Sequence, residues 1–95
     1  MPDVSMPEGD IARRLRDRLE PTLAPTRMRI RDDGHLHAGH AGAREGGHFH
    51  LEIESARFAG LSRVARHRLI YDALGPLAPL GVHALAIEAR APGEH

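Results

Sequence analysis

The chain contains no cysteine. That excludes disulfides, a thiolate nucleophile and any metal site built from its own thiolates. It carries no net charge, with 13 basic residues against 13 acidic ones. No global field therefore draws it to nucleic acid or to a membrane surface, and any such contact must rest on a local patch. No apolar run approaches transmembrane length, and the N-terminus lacks the hydrophobic core of a signal peptide; a cytoplasmic protein with no membrane partner is expected. Lysine is missing as well, so every cation apart from histidine is an arginine. Arginine suits bidentate recognition of phosphates and carboxylates, although coding bias is the simpler explanation.

What is present is an ordinary globular composition, 95 residues with 41% hydrophobic and 27% charged content. That length predicts one small domain over 1–95, with an ordered core from about 7 to 91. The unusual feature is histidine. Five of the eight histidines fall between His35 and His50, in a stretch whose first part is too glycine-rich for a stable helix or strand. Histidine is the side chain most ready to bind a metal or change charge near neutral pH. His35, His37 and His40 lie close enough in sequence to hold zinc, copper or nickel directly, but the spacing matches no closed structural site.

Along the chain, Ser5 and Glu8 have the spacing of a capping box, with Pro7 in the first turn. Ile11, Leu15 and Leu19, with Ala12, then repeat at helical spacing; Pro21 and Pro25 are expected to end this helix. Thr26 to Arg31 alternates, with Met28 and Ile30 inward and Arg27, Arg29 and Arg31 outward, as a strand with one wet face does. A second strand, Gly47 to Glu54, puts Phe49, Leu51 and Ile53 inward and His48, His50 and Glu52 outward. Ser62 caps a second helix that runs to Leu74, with Gly75 and Pro76 as stop signals. Val64, His67, Ile70, Tyr71 and Leu74 share one face of its wheel, which makes His67 a hydrogen-bonded core histidine. A short connector leads to the last strand, Val82 to Arg90, with His83, Leu85 and Ile87 on one side. The tail from Pro92 is expected to be disordered.

The order is thus helix, strand, strand, helix, short connector, strand: an α/β (α+β) domain with a three-stranded mixed sheet packed on helices. The helical crossover predicts that the second and third strands are parallel. Their first residues then meet at one sheet edge, bringing the histidine loop to His83. His48 and His50, on the polar face, point away from that meeting. Arg63 and Arg66 lie at the boundary of the second helix and could reach a phosphate, although a solvated edge is the simpler reading. No paired acid, nucleophile or phosphate loop makes a catalytic constellation, so an enzyme is not expected.

The segments Phe58-Ala-Gly-Leu-Ser, Arg66-His-Arg-Leu-Ile-Tyr71 and Val82-His-Ala-Leu-Ala-Ile87, with His37-Ala-Gly-His40 and the His48-Phe49 pair, resemble the BolA family from Ile11 to about Pro92. The resemblance implies a fold similar to the class II KH module. It implies partnership with a monothiol glutaredoxin through a bridging [2Fe–2S] cluster. The glutaredoxin supplies a cysteine and bound glutathione another thiolate, while the BolA-like protein supplies a loop histidine and the histidine near its C-terminus. Carried to this chain, the C-terminal ligand is His83 and the loop ligand is His37, with His40 and then His35 as alternatives.

The resemblance also implies DNA binding and control of cell shape, stress response and biofilm formation, for which Arg63, Arg66 and Arg68 are the candidate contacts. Alone, the chain is expected to be a monomer or weak homodimer without a cofactor. Two departures stand out: Gly47 where relatives have Ser or Thr, expected to loosen the start of the strand, and a short connector before His83. Gly39-His-Ala-Gly42 fits a KH-type Gly-x-x-Gly turn only between strands, and Gly60-Leu-Ser-Arg63 lacks the second glycine.

Overall fold

A computed structural model describes residues 9–33 and 47–94. Its elements are α1 (Asp10–Leu23), β1 (Arg27–Asp32), β2 (Gly47–Glu54), a 3-10 turn at Ala56–Phe58, α2 (Arg63–Leu74), a second 3-10 turn at Ala78–Leu80, and β3 (Val82–Arg90). The sheet order is β1-β2-β3. β1 pairs with β2 antiparallel and β2 with β3 parallel, as the helical crossover requires. The proposed Ser5–Glu8 cap lies outside the described residues.

Helix α1 buries Ala12, Leu15, Leu19 and Leu23 along one stripe. It does not stop at Pro21, which sits inside the last turn; the helix ends at Ala24, in the left-handed region at φ 44°. Proline there forfeits only one backbone bond near a terminus, and the extra turn brings Leu23 into the core at 1% exposure. The buried Ser55 hydroxyl donates to the Leu23 carbonyl at 2.6 Å and accepts from the Arg57 amide at 3.1 Å, so the helix end is satisfied by the residue that follows β2.

Strand β2 alternates as its sequence requires, with Phe49, Leu51 and Ile53 buried. Met28, Ile30, Leu85, Ile87 and Ala89 join them against the helices. The opposite face carries Arg27, Arg29 and Arg31, then His48, His50, Glu52 and Glu54, then Ala84, Ala86, Glu88 and Arg90, all in register. No described helix covers that face.

Helix α2 keeps its predicted ends: the Ser62 hydroxyl accepts from the Ala65 amide at 3.1 Å, and Gly75 caps the other terminus. Its inward face, however, is rotated from the predicted one. Ile70 and Leu74 are buried, whereas Val64 is 66% and Tyr71 41% exposed, and His67 is only half-buried rather than a core residue. The position a turn before Ile70 is filled by Arg66, whose side chain is 14% exposed. Its stem packs inward because the charged head is neutralised by Glu94 from the C-terminal segment.

That segment is ordered through Glu94, contrary to the expected disorder, because Ala91 is buried and Glu94 is anchored. Gly47 does not loosen β2 either. Its amide donates to the Gly81 carbonyl at 2.9 Å, and a Cβ there would overlap the Phe49 ring.

Candidate metal centre at the sheet end

The end of β1, the start of β2 and the start of β3 meet at one edge of the sheet. The Asp33 amide donates to the His48 carbonyl at 2.7 Å, and Gly47 bonds to Gly81. The segment that contains His35, His37 and His40 connects β1 to β2 at this edge, but those three histidines lie outside the described residues.

His83 is at this edge, as the strand pairing predicts, but not on the predicted face. Gly47 pairs with Val82 and His48 with Ala84, so β3 contains one residue more than β2 here, and that residue is His83. Such a bulge re-aims a side chain. Val82 turns into the core at 4% exposure, His83 turns out to solvent, and Leu85 resumes the core face. The burial of Val82 drives the shift: regular alternation from Leu85 back would have put His83 in the core and Val82 in water.

The outcome reverses the expected separation of His48 from His83. The two rings stand 5.3 Å apart between centroids, inclined at 38°. Sequence reasoning missed His48 as a member of this site. Only the bulge brings it there, and nothing in the alternation of β3 reveals a bulge.

The third histidine on this face, His50, is held by carboxylates. Its Nε2 is 2.9 Å from Glu88 and 3.9 Å from Glu52. Glu52 and Glu88 are directly opposite across the β2–β3 pair, an unfavourable like-charge placement that Arg90, 2.9 Å from Glu88, offsets. These three side chains offer donor atoms within 4.8 Å of one another, with Arg90 competing for Glu88.

The arginines divide. Arg63 and Arg68 are exposed on α2, and Arg63 lines a groove of about 580 Å³ between α2 and β3 together with His67 and Arg90. Arg66 is occupied internally. Nε donates to the Leu61 carbonyl at 2.9 Å, Nη1 to the Ala89 carbonyl at 3.1 Å, and the fork to both oxygens of Glu94 at 2.6 and 2.7 Å. The hydrogen bond to Glu94 raises the Arg66 pKa further. The same bonds, then the Ala91 amide, hold the Glu94 carboxyl down at about 2. Arg66 therefore has almost no donor left for a phosphate, and its role here is structural.

The family model described as BolA-like protein matches residues 19–94. The chain belongs to the BolA-like family. It is 42% identical over 92 residues to SufE-like protein 1, chloroplastic/mitochondrial, of Arabidopsis thaliana, covering 90% of this chain and 25% of that protein. It is 37% identical over 86 residues to mouse BolA-like protein 1, covering 90% of this chain and 61% of the relative. The chain thus spans a quarter of the plant protein and under two thirds of the mouse one.

Among solved structures, the BolA domain of SufE1 from Arabidopsis superposes with a TM-score of 0.77 at 44% identity, over 94% of this chain and all of that one. Arabidopsis BolA1 gives 0.75 at 35% identity, over 93% and 99%. The two helices and the mixed three-stranded sheet are those of the BolA-like fold. No described helix is long and apolar enough to cross a membrane.

Proposed function

We propose that this BolA-like chain is a cytoplasmic adaptor, not an enzyme, that binds a monothiol glutaredoxin and co-ligates a bridging [2Fe–2S] cluster in cluster assembly, trafficking or iron sensing. The observation that carries the reading is His83, turned out of the core by a bulge at the edge where β1, β2 and β3 converge. The donor set fits such a shared group: an exposed imidazole is available, while the absence of cysteine requires thiolates from the glutaredoxin and glutathione. A [2Fe–2S] cluster, when bound, supplies a redox-active and exchangeable metal centre, and imidazole ligation shifts its potential and makes its hold sensitive to protonation. The chain's own part is to present His83 from a rigid strand, with His37, or else His40 or His35, completing the pair.

The test is co-expression with a monothiol glutaredoxin, followed by iron and sulfide analysis of the purified complex. A visible spectrum distinct from that of the glutaredoxin homodimer is expected, changed by His83→Ala. An unchanged spectrum would remove His83 as a ligand, and the same comparison for His37→Ala, His40→Ala and His35→Ala identifies the loop ligand.

The exposed Arg63 beside the α2–β3 groove and the exposed Arg68 elsewhere on α2 favour a second reading, a DNA-binding regulator of cell morphology, stress response and biofilm formation. It expects promoter fragments to shift in a gel with the cluster-free protein, less so with Arg63→Ala or Arg68→Ala. No shift of any genomic fragment at physiological salt would dismiss it.

A further inference from the structure

We infer that His50 and Glu52 of β2 and Glu88 of β3 form a three-ligand site for a divalent ion of the zinc class on the open face of the sheet. The site shares no residue with the His37–His83 pairing and depends on no glutaredoxin.

The first observation is the position of the donor atoms. One nitrogen or carboxylate oxygen from each residue lies within 4.8 Å of the others. His50 Nε2 is 2.9 Å from Glu88 Oε2 and 3.9 Å from Glu52 Oε2. Zinc bonds of about 2.0–2.2 Å in a tetrahedral arrangement put ligand atoms about 3.3–3.5 Å apart, a spacing these two separations straddle. The group that occupies His50 Nε2 is itself a co-ligand. On binding, the imidazole proton sits at Nδ1, and the ion takes the place between Nε2 and the Glu88 oxygen. The second observation is the backbone. His50 and Glu52 alternate onto one face of β2, and Glu88 pairs with Glu52 across the ladder, so paired strands and not a loop hold all three. The facing carboxylates repel each other, and a divalent cation between them offsets that cost. The third is room. Exposed Ala86 is opposite His50, so only a methyl group stands beside the imidazole on β3, and water completes the coordination as in open zinc sites.

The fourth observation is charge. Three arginines border the site. Arg31 is opposite His50, and its Nε is bound to Asp33 at 2.7 Å. Arg29, opposite Glu52, is exposed. Arg90 donates to Glu88 through Oε1 at 2.9 Å, which leaves Oε2, the oxygen beside His50, for the ion. One imidazole with two carboxylates suits zinc. Calcium takes about six to eight oxygens and magnesium keeps most of its water, so neither matches this set.

The test is a titration of the isolated full chain with Zn²⁺ alone, in a His35→Ala/His37→Ala/His40→Ala background that removes the loop imidazoles. Affinity is measured by calorimetry, and the His50 ring nitrogens are followed by nitrogen-15 magnetic resonance. A saturable site is expected whose occupancy moves the His50 Nε2 resonance. His50→Gln, Glu52→Gln and Glu88→Gln should each weaken it at least about tenfold, as loss of one arm of a chelate does. Glu54→Gln, at the next acid along that face of β2, should leave the affinity unchanged. Absence of binding, an unmoved His50 Nε2 resonance at saturation, a loss below tenfold for any of the three variants, or an equal loss for Glu54→Gln would overturn the inference. Circular dichroism melts confirm that each variant is folded, and the resonance of His50 reads the site without any change to its ligands. Because glutaredoxin is absent throughout, this result and the cluster analysis of the mixed complex succeed or fail separately.

Discussion

β3 starts and finishes among polar side chains, and its two ends hold them in opposite ways. At the C-terminal end, Arg66 donates to Leu61, Ala89 and both Glu94 oxygens, and Glu94 also accepts from the Ala91 amide at 3.0 Å. Ser55, in the same corner, receives Arg57 and donates to Leu23, while its amide reaches the Arg90 carbonyl at 2.9 Å. Donors and acceptors there close on one another. At the N-terminal end, the His83 side chain makes no hydrogen bond among the described residues and faces solvent beside a second imidazole. A network satisfied internally supports the fold and has little to offer a ligand. An exposed imidazole on a paired strand contributes little to the fold and can be reached from solvent.

Substitutions at the two ends sharpen this contrast. The largest effect belongs to Ser55→Ala, which removes a fully buried hydroxyl and strands the Leu23 carbonyl and the Arg57 amide. It should cost about 1–3 kcal/mol in chemical denaturation; a loss within experimental error would show that water replaces the hydroxyl.

Next comes the acid response of the Arg66–Glu94 clamp. The folded Glu94 pKa is depressed from 4.5 to about 2, so its contribution is present above the unfolded value and is lost as pH falls through the folded one. The melting temperature of the native chain should therefore fall more steeply between pH 4.5 and 2 than that of Glu94→Gln. Coincident slopes would mean that the clamp is screened by solvent, which reaches 40% of the Glu94 side chain.

The smallest effect is expected of His83→Ala, an exposed residue whose side chain makes no hydrogen bond among the described residues. Its stability should lie within about 0.5 kcal/mol of the native chain, whereas the proposed function expects the same change to alter the spectrum of the glutaredoxin complex. A large destabilisation would place His83 with the structural cluster and dissolve the contrast.

Much of the architecture was readable from local pattern. The two-residue alternation of Phe49, Leu51 and Ile53 specified which face of β2 is buried, and Ser62 and Gly75 marked both ends of α2, because hydrophobic period and capping chemistry act within a few residues. The meeting of the β2 and β3 starts followed from the length of the crossover. The failures share a cause. Val64 and Tyr71 looked inward because Arg66 could not be placed in the core without Glu94, 28 residues away. Pro21 looked like a terminator because the gain from burying Leu23 is a tertiary quantity. His48 was turned away from the site because a bulge is invisible when strands are read singly.

The sequence alone determined the element order, the buried face of β2, the family and the presence of His83 at the end of a strand. These rest on periodicity, caps and motif order, all local in the chain. Tertiary structure alone decided that Val82 and not His83 enters the core, that Arg66 is a clamp, and that His48 stands beside His83. In each case competition between distant residues for the same buried space, and the matching of charges it requires, settled the outcome.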